Sequence, residues 1–82
     1  MPQISGVIVE KYTRRPVRGV TIRIGQYVAL TDAMGRFRLE APLGPIQISM
    51  THRDFHPYFI SLNVVRAADI GVIGMSSKVV AL

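Results

Sequence analysis

The chain is predicted to be all-β, a sandwich of seven short strands in antiparallel or mixed pairing, and three features of its 82 residues predict it. Apolar and polar residues alternate with period two wherever the chain is not turning, and no ten-residue window shows the i, i+3, i+4, i+7 apolar spacing of a helix. Turn chemistry recurs about every ten residues, the rhythm of a sandwich. The stretch TDAMGRFRL, Thr31 to Leu39, holds the whole pattern in miniature. Thr31 ends one extended run, Asp32 to Gly35 supply the turn, and Phe37 and Leu39 begin a strand with Arg36 and Arg38 on its other face, so it reads as a β-hairpin.

The first strand is expected from about Gln3 to Glu10, with Ile4 and Ile8 on one side and Val7 and Val9 on the other. Lys11 to Pro16 is polar and ends in proline, so it is a connection. From Val17 to Gly25, Val20, Ile22 and Ile24 point one way and Thr21 and Arg23 the other, giving a strand with one buried face. Gly19 beside Val20 reads as a bulge or close backbone approach. Gly25 and Gln26 turn the chain into Tyr27 to Thr31, where Val28 and Leu30 are expected to face the core. Phe37 and Leu39 are then expected to pair with that preceding strand and set the register.

Ala41 to Pro45 carries two prolines and a glycine and reads as a turn. Ile46, Ile48 and Met50 alternate with Gln47, Ser49 and Thr51 in a half-buried strand, and His52 to Pro57 is the next polar connection. Tyr58, Ile60, Leu62 and Val64 alternate with Ser61 and Asn63 in another strand. Ala67 to Gly71 turns the chain toward a last strand from about Val72 to Leu82, weakened or bulged by Gly74, Ser76 and Ser77. The expected core is Val20, Ile22, Ile24, Leu30, Phe37, Leu39, Ile48, Ile60 and Leu62.

At this length the chain is expected to be one domain, residues 1–82, with room for one modest core and none for a catalytic lobe. Hydrophobic residues make up 49% of it, high for a small chain that must also cover itself with polar groups, which points to self-association or burial against a partner. No apolar run reaches the roughly 18 to 20 residues of a spanning helix. MPQISGVIVE lacks the basic start, apolar centre and cleavage site of a secretory signal, so the expected compartment is the cytoplasm. The absence of cysteine removes disulfides, zinc-thiolate sites, iron-sulfur clusters and thiol nucleophiles. Eight of the ten basic residues are arginine and the net charge is +5, which favours an acidic partner, although alternation scatters them over strand faces.

The succession ISGVIVE, PVRGVTIRIG and TDAMGRFRLEAPLG resembles the carboxypeptidase regulatory-like domains of the transthyretin-like, or prealbumin-like, superfamily. The matching positions are Gly6 in the first strand, Pro16 to Ile22, and Thr31 to Leu39, and the likeness runs from Ile4 to about Leu62. It implies a seven-stranded Greek-key sandwich and a non-enzymatic accessory that helps fold, attach or orient a larger protein or complex. Thr31, Gly35 and Arg36 also match in outline a motif of the 5-hydroxyisourate hydrolases on the same fold. Those enzymes carry a first-strand histidine and a final Y-R-G-S, where this chain has Ile4 to Glu10 and SSKVVAL, so Arg36 lacks its base and oxyanion partners.

His52, Asp54 and His56 invite a metal reading, yet spacing of four gathers imidazoles on a helix and guarantees nothing in a turn before Pro57. No cofactor or metal is expected. No triad, paired carboxylates or phosphate loop can be assembled. Arg14, Arg15 and Arg18 flank the first turn, and Tyr12, Tyr27, Phe55 and Tyr58 offer stacking surfaces, so a nucleic-acid or anionic surface is the alternative partner if these meet on one side. The leading expectation is a non-catalytic module for protein-protein interaction or assembly, self-associating or docking onto a larger protein. Arg36, Arg38 and Tyr58 are its candidate contact residues, and Asp32 and Gly35 its structural turn.

Overall fold

The computed structural model describes residues 1–78. The strands are β1 (Gln3–Glu10), β2 (Thr21–Ile24), β3 (Tyr27–Leu30), β4 (Arg36–Glu40), β5 (Gly44–His52), β6 (Phe55–Val64) and β7 (Ala68–Met75). They form a three-stranded sheet in the order β4-β1-β7 and a four-stranded sheet in the order β3-β2-β5-β6. β1 and β7 run parallel and the other pairs antiparallel, so the sandwich is mixed.

The core lies between the sheets. One side contributes Ile4, Ile8, Phe37, Leu39, Ile73 and Met75, the other Ile22, Ile24, Ile48 and Met50, all buried. Gly6 sits between the two β1 isoleucines and is the cross-strand partner of Phe37. A Cβ on Gly6 would approach Phe37 Cε1 and Cζ to 2.9 Å, so the glycine makes room for that ring.

The largest correction concerns TDAMGRFRL. β3 pairs with β2 and β4 with β1, so Phe37 and Leu39 take their register from Gly6 and Ile4 instead of from the preceding strand. The turn therefore carries the chain from one sheet to the other. A second correction follows from the two-residue turn at Gly25 and Gln26. It sets Ile24 opposite Tyr27 and Ile22 opposite Ala29, and directly opposed residues share a face. Tyr27 and Ala29 thus pack on the core, while Val28 is 50% and Leu30 64% exposed.

Other boundaries moved for local reasons. β5 begins at Gly44 and takes in Pro45, because β2 extends only to the level of Ser49 and Pro45 has no second neighbour to donate to. Only Arg53 and Asp54 separate β5 from β6, so most of the expected His52 to Pro57 connection is strand. Ile60 and Leu62 are half-buried because β6 is an outer strand. β7 begins at Ala68, and the register shift falls opposite the Ser5 to Val7 step, where Gly71 has φ +83°, instead of at Gly74. Residues 79–82 of the expected last strand lie outside the described residues. Gly19 has φ +77° with nothing among the described residues within 4 Å of its absent Cβ, so there it answers to backbone conformation.

Two polar devices fix the connections. Asp32 Oδ1 accepts from the N–H groups of Met34 and Arg36, both at 2.9 Å, and the Asp32 carbonyl accepts from Gly35 N–H at 2.9 Å. In the first turn, Glu10 Oε2 accepts from Thr13 N–H at 2.6 Å and Tyr12 N–H at 3.0 Å. The Thr13 bond, foremost, holds the Glu10 carboxyl below the usual carboxylate range. A depressed carboxyl stabilises the fold above its ordinary value, and that contribution fades as pH falls through the lowered one. In an acid titration the Tyr12 and Thr13 amide resonances are expected to shift together, with a midpoint below that of an ordinary glutamate. Glu10→Gln should abolish the shared response, and independent midpoints in the wild type would refute it.

Candidate functional site

Arg36 and Arg38 stand on the outer face of the three-stranded sheet. Arg38 lies opposite Ser5, which faces Asp69, and Arg36 lies opposite Val7, which faces Val72. An open depression of about 660 Å³ lies here, bordered by Ser5, Asp32, Arg36, Arg38 and Asp69 among others. Its acids are already engaged by backbone: Asp32 in its turn, and Asp69 Oδ1 with Gly71 N–H at 2.7 Å. Among the described residues no ion pair involves either arginine, and no histidine borders the depression.

In the other sheet, His52 ends β5 and His56 lies at the start of β6. His52 Nδ1 accepts from Asp54 N–H at 3.1 Å, and its ring meets Phe55 edge-on with centroids 5.3 Å apart. One ring nitrogen is thereby committed to the turn. Among the described residues no three His, Asp or Glu side chains gather as a metal site would require.

The arginine-aromatic patch is split by the topology. The segment Arg15 to Val17 continues the line of β4 along β1, through Glu10 N–H to Arg15 O and Val17 N–H to Ile8 O. This places Arg15 and Arg18 on the same flank as Arg36 and Arg38. Phe55 and Tyr58 lie on β6, which neighbours β7 at the opposite flank. Tyr27 packs on the core. Tyr12 stays in the first turn, beneath the Lys11 ammonium at 5.7 Å from its ring centroid.

That opposite flank is the feature sequence reasoning divided and so missed. The ten residues FHPYFISLNV of β6 contain no Asp, Glu, Lys or Arg. Among the described strands, β5 is its one neighbour within the sheet. Tyr58 is 42% and Phe59 58% exposed. An uncharged run of that length was the available signal.

Strand parity shows which backbone groups are free. The tight turn makes Ile24 and Tyr27 a hydrogen-bonded pair, so even-numbered β2 residues bond β3, and Thr21 and Arg23 bond Thr51 and Ser49 of β5. Ile46, Ile48 and Met50 are then the β5 residues that bond Leu62, Ile60 and Tyr58. The N–H and C=O groups of Phe59, Ser61 and Asn63 consequently point away from β5. The start of β6 is covered, since His56 N–H donates to Ser76 O at 2.8 Å and Phe55 bridges Ser77. A one-residue register shift beside Pro57 separates that covered start from the open stretch Tyr58 to Val64.

No family model and no curated protein matches the chain. Among solved structures, it is similar to a chain of an N-terminal interface mutant of the type II cohesin-X-dockerin complex from Acetivibrio cellulolyticus, at 22% identity and TM-score 0.80 over 94% of this chain. A chain of the C-terminal interface mutant of that complex matches at 22% identity and TM-score 0.72 over 88% of this chain. A 9R-lipoxygenase from Cyanothece PCC8801 matches at 17% identity and TM-score 0.66 over 89% of this chain. The chain spans 58%, 53% and 16% of those three chains respectively. These likenesses show the β-sandwich fold.

Proposed function

We propose that this chain is a non-catalytic docking module of carboxypeptidase regulatory-like type, which joins a protein surface through the open edge of β6. The observation that carries the reading is the uncharged edge itself, with exposed Tyr58 and Phe59 and three residues whose backbone groups face outward. Soluble sheets ordinarily blunt such edges with charge, and here Pro57 blunts only the beginning. An added strand satisfies those donors and acceptors and covers the two aromatic rings. Membership of the similar chains in a two-protein complex supports the same reading.

Ser61→Pro tests it. The Ser61 N–H faces solvent, so proline at this edge position removes a docking donor without breaking the β5 ladder. Wild-type protein should retain a specific partner from its native cells. Ser61→Pro should lose it about tenfold or more while its thermal midpoint shifts by no more than about 4 °C. An Arg36→Ala/Arg38→Ala variant should bind as the wild type does. Equal capture by Ser61→Pro would refute edge docking, and loss only in the arginine variant would move the contact to the basic flank and an anionic partner.

A further inference from the structure

Resting on that reading, we infer that the occupant of the edge is a second copy of this chain, with the two β6 strands antiparallel and a twofold axis through Ser61. The open stretch runs from Tyr58 to Val64, and Ser61 is its midpoint. Ser61 also has its N–H and C=O directed outward, so a twofold axis there creates a hydrogen-bonded Ser61 to Ser61 pair. Phe59 of each copy then meets Asn63 of the other, and the three outward residues exchange bonds across the axis.

The inward row is self-complementary in this register. Ile60 meets Leu62, so these half-buried residues are covered by apolar partners from the other copy, and the exposed Tyr58 ring falls at the level of Val64, which is already buried in its own copy. Two copies each bearing +5 repel overall, but β6 is a strand on which no Lys, Arg, Asp or Glu adds like-charge contact at the seam. Joining the edges makes one eight-stranded sheet out of two four-stranded ones.

The chain has no cysteine, which makes single-cysteine variants clean reporters of the register. Across the axis the Ser61 Cα atoms would stand about 5.5 Å apart, inside disulfide range, while the two Phe59 Cα atoms would be about 14 Å apart. Wild-type protein should sediment as a concentration-dependent dimer. Under mild oxidation or with a short bismaleimide, Ser61→Cys should give linked dimer about tenfold more than Phe59→Cys. Ser61→Lys and Ser61→Asp should each be monomeric, and mixing them should restore a dimer through opposite charges. A wild-type monomer at high concentration, or equal linking of Phe59→Cys and Ser61→Cys, would overturn the inference. If either occurs while Ser61→Pro still loses a different captured protein, the edge serves a heterologous partner and only the second copy is refuted.

Discussion

Gly35→Ala is expected to destabilise the protein by about 4 kcal/mol, the sum of left-handed backbone strain and overpacking against fixed main chain. Gly35 has φ +76°, and its absent Cβ would meet the Ile8 carbonyl oxygen. That oxygen is held in place, since it accepts from Val17 N–H at 3.0 Å, and Ile8 N–H donates to Gly35 O at 2.7 Å. The added methyl thus strikes a backbone junction that joins β1, the 15–17 segment and the turn, and neither partner can rotate away. A domain of this size has a thin margin, so the variant should be largely unfolded at moderate urea. Gly19→Ala is the internal control. Gly19 has a similar φ of +77° and open space, so only about 1 kcal/mol of strain is expected there. Equal urea midpoints for the two variants would show that the Ile8 approach contributes nothing.

Thr31→Val should cost about 3 kcal/mol although it preserves shape, because it strands two buried backbone groups. Thr31 is 4% exposed, and its Oγ1 donates to Val17 O at 2.7 Å and accepts from Val20 N–H at 2.9 Å. The hydroxyl thereby clasps the irregular segment before β2 onto the end of β3, where Val17 and Val20 enter the core. Thr31→Ser keeps the hydroxyl and gives up one methyl, so its loss should be about 1 kcal/mol. Equilibrium denaturation of the pair separates the two accounts. If serine is as damaging as valine, packing governs the position and the clasp does not.

Both predictions fall within TDAMGRFRL, and they show how far sequence reasoning reached. The chemistry of the turn was legible, because positive φ at Gly35 and the acceptor at Asp32 are demands made by a few adjacent atoms. Its role was not. Two strands flanking a tight turn look the same in sequence whether they pair with each other or diverge into two sheets. Val28 and Leu30 were assigned the wrong face for a related reason: the alternation of YVAL is apolar at every position, so period two has no polar residue to mark the outside. Only the Gly25–Gln26 turn geometry settles the parity.

The candidate sites divide in the same way. Arg36 and Arg38 were placed on one exposed face by alternation alone, and Tyr58 on a strand. That the arginines and Tyr58 occupy opposite flanks depends on which strands end each sheet, a property of pairing order that no local pattern encodes. By itself, the sequence determined the strand character of nearly the whole chain, the turn residues, and the inward identity of Ile22, Ile24, Phe37, Leu39 and Ile48, since each follows from neighbours within a few residues. The tertiary structure alone decided that β4 joins β1, that β1 and β7 run parallel, and that β6 is left with an open edge. Those outcomes are set by long-range hydrogen bonding and by competition among strands for the same core, which the period of a strand does not record.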